Sequence, residues 1–356
     1  MRIVSVVGAR PQFVKLAPIA AECGRRGVEH RIVHTGQHYD RLLSDVFFAD
    51  LAIPTPDVNL GVGSGSHGQQ TGEMLSRLDE VLAAERPDWV LAYGDTNSTL
   101  AAALAAVKLG MPLAHLEAGL RSFNRAMPEE INRVLTDHAA DLLLAPTQTA
   151  MNHLQGEGLA GRARLVGDVM VDVLLAARDR IDRKRNAADV APATLLGLDP
   201  GDYCVATIHR AENTEDPRRL RAIIESLARL DHPVVLLAHP RLVDLAARHG
   251  IPLDGGSVIL REPLSYPDLI EAVLDARGVI TDSGGLQKEA FVLRVPCTTV
   301  RTETEWVETL EGGWNVLTEP GPGLISAAAR SKPTPSSEQP FGDGHAAASV
   351  LEALNP

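Results

Sequence analysis

Short β-branched runs alternate with helix-length segments along this chain, and the alternation starts afresh half-way. A chain patterned this way folds as parallel sheets flanked by helices. Strands are predicted over residues 2–7, 30–34, 89–93, 113–116 and 142–145, with helices over 11–25, 98–108 and 129–139. A second set follows, with strands over 205–208, 234–238, 258–260, 278–281 and 297–300 and helices over 218–230, 266–274 and 285–293. For 356 residues, two domains are the natural expectation. The predicted architecture is α/β: two doubly wound Rossmann-like domains, 1–167 and 168–340, facing a cleft. A last helix within 341–356 is expected to pack back on the first domain. Residues 182–202 mix charge with Pro and Gly and read as a surface excursion. Open sheets of this kind bind ligands at the carboxyl ends of their strands, so motifs at those ends carry the most weight.

Composition narrows the function. A formal net charge of -12 argues against broad electrostatic binding of nucleic acid. An anionic ligand therefore needs a local cluster of cations and helix starts. No apolar run approaches the ~20 residues that span a bilayer, and no charged-then-apolar leader precedes the first strand. The expected setting is the cytoplasm, without membrane attachment. Cys23, Cys204 and Cys297 lack CxxC spacing and read as buried thiols, not as a disulfide set or a metal site.

The stretch Thr281-Asp282-Ser283-Gly284-Gly285-Leu286-Gln287-Lys288-Glu289-Ala290 runs from a strand straight into a helix. Its glycines let the backbone come close to a ligand, and the first helical N–H groups have no partner inside the helix, which makes an anion seat. Glu289 follows within the first turns, placed to accept from a sugar hydroxyl, so a nucleotide is the ligand expected. Arg10 and Lys15 lie on the turn and first helix after the first strand, as phosphate or acid partners or as plain surface cations. Asp95 ends another strand and reads as a helix cap or as an acid. Glu117, in His115-Leu116-Glu117-Ala118-Gly119, has little structural reason to be a carboxylate. His115 and Glu117 also have the look of a metal pair, but two ligands at strand spacing are weak evidence. Glu129 and Glu130 open a helix, where one of them serves the dipole. His209, followed by Arg210, ends the first strand of the second set. Gly63 to Gly68 matches GxGxxG, but no strand precedes it, so it reads as a mobile loop and not as a dinucleotide site.

Eight strings in order, GARPQFVKLAP, HTGQHYD, YGDTNST, HLEAGLRS, MPEEINR, HRAEN, TDSGGLQKEA and TEWVE, resemble the non-hydrolysing UDP-N-acetylglucosamine 2-epimerases. The resemblance runs from Gly8 to about Asn315. It implies the glycosyltransferase-B architecture, a UDP-sugar substrate, no cofactor, no metal and commonly a homodimer. By that resemblance Asp95, Glu117 and Glu129 are the carboxylates of proton transfer, supported by Lys15 and His209. Arg10, His209, Ser283, Gly284, Gly285 and Arg301 hold the UDP phosphates, and Glu289 binds the ribose diol.

The chemistry explains these residue types. The C2 proton of a 2-acetamido sugar is not adjacent to a carbonyl, so it becomes acidic only as UDP leaves C1. Elimination to a glycal and re-addition from the other face needs a stabilised diphosphate and acid/base groups, but no NAD. Three departures from the family text stand out. Trp306-Val307 replaces Arg-Pro, Lys288 stands where many members have an acid, and Gln69 stands where bacterial members with an activator site have Arg. The first two, with GARPQF and Gly167 to Met170, resemble the branch acting on UDP-2,3-diacetamido-2,3-dideoxyglucuronic acid, whose extra carboxylate would call for Arg121, Arg125 or Lys288; archaeal-type UDP-N-acetylglucosamine epimerases share parts of the pattern. A glycosyltransferase of the same fold is the reading from another class, and it leaves Glu117 and Glu129 unexplained.

Overall fold

A computed structural model of the chain describes residues 1–37, 53–187, 195–334 and 339–355, apart from the side chain of Arg10. It divides into two compact units, Met1–Leu175 with Gln339–Pro356, and Ala176–Glu338.

The first unit holds β1 (Arg2–Val7), α1 (Arg10–Arg26), β2 (Glu29–His34), β3 (Val58–Asn59), α2 (His67–Glu85), β4 (Trp89–Tyr93), α3 (Asn97–Lys108), β5 (Leu113–Leu116), α4 (Pro128–Ala139), β6 (Leu142–Ala145), α5 (Gln148–Gly156) and β7 (Ala163–Leu165). Its strands form one parallel sheet in the order β3-β2-β1-β4-β5-β6-β7. The order reverses between β1 and β4, the place where an open sheet leaves a crevice at its carboxyl edge. The division between units falls within α6 (Val169–Asn186).

The second unit holds β8 (Cys204–Thr207), α7 (Ala211–Thr214), α8 (Pro217–Ala228), β9 (Val234–Leu237), α9 (Pro240–Arg248), β10 (Val258–Arg261), α10 (Tyr266–Asp275), β11 (Gly278–Thr281), α11 (Gly284–Val292), β12 (Cys297–Thr299), β13 (Asn315–Leu317) and α12 (Pro322–Ala328). Its sheet is also parallel, in the order β10-β9-β8-β11-β12-β13, with the reversal between β8 and β11. Its core includes Ile223, Leu227, Val234, Leu236 and Ile280.

The last helix, α13 (Ala346–Leu354), belongs to the first unit. Val350, Leu351 and Leu354 are buried in the same core as Ile3, Phe13, Leu16 and Leu91. Asp172 accepts hydrogen bonds from Ala346 N and Ala347 N at 3.0 and 2.8 Å, supplying partners that a helix start lacks. Trp89 Nε1 donates to Leu354 O at 2.9 Å and fastens the other end.

Three local expectations are corrected. The loop over residues 63–68 stays irregular only as far as Ser66, which caps α2, its Oγ accepting from Gln69 N at 3.4 Å; His67 and Gly68 are helical. The cap of α3 is Thr96, whose side chain accepts from Thr99 N, so Asp95 is released from that duty. The surface excursion placed at Asp182 begins later, because α6 continues to Asn186. No described helix is long and apolar enough to cross a membrane. All three cysteines are buried and form no disulfide, and desolvation pushes each thiol up to about 12.

Candidate active site

Two clusters form, one at each sheet reversal. In the first unit the β1–α1 turn passes so close to its neighbours that a Cβ at Gly8 would lie 1.9 Å from Thr35 Oγ1 and 2.3 Å from Ser98 Oγ. Only glycine fits there. Gln12 accepts from Gly8 N and Ala9 N at 2.7 and 3.0 Å, and its Nε2 donates to Tyr93 O at 2.8 Å. This buried amide ties the β1–α1 turn to the end of β4. One turn further along α1, Lys15 donates to Glu117 Oε2.

Burial alone would discharge Lys15, but the carboxylates of Glu117 and then Asp95 outweigh it and hold its pKa above the ordinary lysine value. Glu117 sits at φ +73°, a left-handed conformation rarely adopted by a non-glycine residue. Its N–H and that of Ala118 donate to Leu144 O at 3.0 and 3.1 Å, which keeps the chain in that bend. Asp95 pairs with Arg133 at 2.5 Å, and Asn132 Nδ2 donates to Asp95 O at 2.9 Å. Asp95 and Glu117 thus end the neighbouring strands β4 and β5, each against its own cation.

The two helix-opening acids separate cleanly. Glu130 is buried and accepts from Ser122 N, Phe123 N and Arg133 Nη1 at 2.9, 3.0 and 3.0 Å. It clamps the loop before α4. Desolvation pushes its carboxyl up, yet the Ser122, Arg133 and Phe123 donors hold it below the usual range. Glu129 is exposed on the first turn of α4.

In the second unit His209 and Ser283 follow β8 and β11, the two strands at the reversal. Between them lies Asp282, fully buried, which accepts from His209 N at 3.0 Å, Arg210 N at 3.0 Å and Asn213 Nδ2 at 3.0 Å. It also faces His209 Nδ1 at 3.0 Å, which directs the ring's Nδ1–H inward and leaves Nε2 to the half-exposed side of the ring. Burial would raise the Asp282 carboxyl, but hydrogen bonding and charge from His209, together with Asn213 and the Arg210 amide, hold it below the usual aspartate value.

Ser283 caps α11, and a Cβ at Gly284 would come 2.6 Å from Glu305 Oε1. Around that glycine Arg301 Nη1 donates to Glu305 Oε2 at 3.0 Å and Arg210 Nη2 lies 3.5 Å from Oε1. Arg301 is buried, and its Nε hydrogen-bonds to no described residue. The start of α11 thus has two arginines beside it, both facing the Glu305 carboxylate. Glu289 lies buried in the second turn of α11. A cavity of about 380 Å³ opens beside His209 in this unit, lined by Ile208, Leu237, Pro263, Leu264 and Leu269 among others. Arg10 opens α1, but its side chain lies outside the described set, as do residues 38–40 of the HTGQHYD string.

Two of the three cations considered for a sugar carboxylate are engaged elsewhere. Lys288 is buried with its Nζ 4.0 Å from the centre of the Trp306 ring, a cation–π contact. The two departures from the family text are therefore in contact with each other. Arg121 is buried and bridges Asp137 and Glu157, both at 2.7 Å. Arg125 is exposed.

A family model described as UDP-N-acetylglucosamine 2-epimerase matches residues 21–355. The chain belongs to the UDP-N-acetylglucosamine 2-epimerase family. It is a carbohydrate epimerase, an isomerase. This epimerase is 46% identical over 360 residues to a UDP-N-acetylglucosamine 2-epimerase homolog of Methanococcus maripaludis, covering 99% of both chains. It is 44% identical to the UDP-2,3-diacetamido-2,3-dideoxy-D-glucuronate 2-epimerase of Pseudomonas aeruginosa, again over 99% of both. Among solved structures, the Methanocaldococcus jannaschii UDP-GlcNAc 2-epimerase, in complex with UDP-GlcNAc and UDP, superposes with a TM-score of 0.86 at 37% identity, covering 99% of each chain.

Sequence reading of this epimerase missed Gln12, Asn132, Arg133 and Asp282 as supports of the site. All four lie inside the family strings, but their partners are distant in the chain. The signal available was a polar residue at a position that the helix or strand period would bury.

Proposed function

We propose that the protein interconverts UDP-N-acetylglucosamine and UDP-N-acetylmannosamine. A carboxylate takes the C2 proton, the C2–H electrons become the C1=C2 double bond, and the C1–O bond breaks with its electron pair leaving on UDP. The 2-acetamidoglucal then takes UDP back at C1 while a proton is delivered to the other face of C2. Asp95, Glu117 and Glu129 are the proton-transfer carboxylates of this reading, with Lys15 countering the charge that develops among them. Ser283, Gly284 and Gly285, with His209, Arg10 and Arg301, hold the departing diphosphate. Glu289 takes the ribose diol, and the apolar cavity beside His209 suits the base. The reading includes a cytoplasmic homodimer that needs no redox cofactor and no metal.

The observation that carries this reading is the pair Asp95 and Glu117. Two acids end adjacent strands in one unit, each paired with a different cation, and one has a strained backbone. A glycosyltransfer site has no need of that pair. The uronate branch has the Pseudomonas relative in its favour, but Arg121 and Lys288 are committed to other partners.

Incubation with UDP-N-acetylglucosamine, and separately with the diacetamido uronate, in heavy water tests the reading. The expected result is the C2 epimer of UDP-N-acetylglucosamine with deuterium at C2, read by NMR. Epimer without deuterium would refute a solvent-exchanging base, accumulating UDP would indicate hydrolysis, and turnover of the uronate alone would move the substrate to that branch.

The Gln69 departure bears on regulation. Gln69 and Gln70 line a hollow of about 420 Å³ with Gly63, Ser64, Gly65 and Glu73, and no cation is among the described residues that line it. Gln70 is spent on Gly63 O and on Asn97, at 3.0 and 2.8 Å. Among the described residues a diphosphate has no bidentate partner there. Initial rates are expected to rise hyperbolically with UDP-N-acetylglucosamine, and a sigmoidal curve would refute this.

A further inference from the structure

His115 is fully buried and both ring nitrogens meet acceptors. Nε2 lies 2.7 Å from Gly94 O and Nδ1 lies 2.6 Å from Asp137 Oδ1. A carbonyl oxygen accepts and does not donate, and an ionised carboxylate does the same. The ring therefore links the Gly94 carbonyl to the Asp137 carboxylate. One acceptor adjoins Asp95 in the chain, and the other bonds residues around Glu117. Gly94 directly precedes Asp95 and sits at φ +64°. A Cβ on Gly94 would lie 3.3 Å from Glu117 Oε2 and 3.4 Å from Lys15 Nζ, so this peptide forms the floor under the Lys15–Glu117 pair.

Asp137, carried by α4, holds the other side. Besides His115 it accepts from Gly119 N at 3.0 Å and from Arg121 Nη1 at 2.7 Å. Those three donors flank Glu117 in the chain, two residues before it, two after and four after. Glu117 itself keeps a left-handed backbone, and such a conformation persists only where the surroundings over-determine it. Leu144 O bonds the bend itself, and Asp137 and His115 bond the chain on either side of it. Burial would raise the Asp137 carboxyl, while His115 and Arg121 hold it down.

We propose that His115 and Asp137 are a positioning pair for the acid–base groups: they set the Gly94–Asp95 peptide and the Glu117 bend relative to each other without touching substrate. The proposal rests on Asp95 and Glu117 being the proton-transfer groups. A buried ion network that served stability alone would give a different result on substitution. It would change the unfolding midpoint and leave turnover per folded molecule untouched.

The test uses the full chain with His115→Phe, His115→Gln and Asp137→Asn. Turnover is measured as C2 deuterium incorporation from UDP-N-acetylglucosamine, UDP binding by calorimetry, and folded fraction by urea titration. For His115→Phe and Asp137→Asn, kcat is expected to fall by about 10- to 100-fold, the scale of a misplacement of about 1 Å. KM and the Kd for UDP stay within about 3-fold, as for an interaction that matters in the transition state alone. His115→Gln keeps an amide donor for Gly94 O and is expected to recover several-fold of the loss. If His115→Phe does not fold, Asp137→Asn and His115→Gln carry the comparison. Folded variants that turn over within about 2-fold of the parent protein would overturn the proposal, as would a loss confined to KM. No exchange by the parent protein, with UDP still bound, would overturn the underlying acid–base reading instead.

Discussion

Glu117→Gln is expected to lower kcat by about 10²- to 10⁴-fold, the usual contribution of a positioned acid or base. The amide keeps the size and the hydrogen-bonding oxygen of the side chain, so the bend at φ +73° and the backbone bonds to Leu144 O are retained. What disappears is the group that exchanges a proton and the charge opposite Lys15. Lys15 is buried against that charge, so the two residues act as a unit and their substitutions are expected not to add. Lys15→Met alone is expected to cost a similar factor, and the double variant little more than either single one. Apart from Arg10, the groups proposed for UDP lie in the other unit, so the Kd for UDP is expected to move by less than about 3-fold. Deuterium wash-in at C2 is the measurement. A Glu117→Gln protein that keeps more than a tenth of parent exchange would remove Glu117 from proton transfer.

The second large effect is at Asp282. Asp282→Ala strands the N–H groups of His209 and Arg210 and the Asn213 amide in a buried place. Removing one partner from a buried charged network costs about 3–5 kcal/mol. The ring of His209 also loses the acceptor that fixes its Nδ1–H, so weaker UDP binding accompanies lower stability. The pH dependence has a definite sign. The folded carboxyl is held below its ordinary value, so it binds its proton less readily folded than unfolded. Its stabilisation is complete above the ordinary aspartate range, near pH 4, and is lost as pH falls below it through the depressed folded value. Urea unfolding of parent and Asp282→Ala is thus expected to differ by a constant amount from pH 6 to 8 and to converge below about pH 4. A gap that is unchanged or widens in acid would refute the assignment.

Much of the site was legible in the chain because its signals are local. A strand period ending in Ser-Gly-Gly, a helix period starting at once and a carboxylate just past an apolar run are all visible within ten residues. Elements opened by weak signals were not. The helix α2 follows a run of Gly and Ser that reads as a loop, and its start is declared by the Ser66 cap alone. The Asp95 ambiguity arose because Asp, Thr and Asn all cap helices. The structure gives that task to Thr96 and leaves Asp95 to Arg133. Glu129 and Glu130 are equivalent as text, and only the folded Ser122–Phe123 loop distinguishes them. Lys288 and Trp306 each looked like an isolated departure until their contact showed one packing against the other.

By itself the sequence determined the two parallel sheets, the family and which chemical groups arrive at the strand ends, since backbone period and turn chemistry depend on neighbours in the chain. The tertiary structure alone decided who partners whom. Lys15 meets Glu117 across 102 residues, Arg133 meets Asp95 across 38, and Arg210 meets Asp282 across 72. The physical reason is that a buried charge takes its character from the groups that face it, and those groups are brought up by other strands and helices.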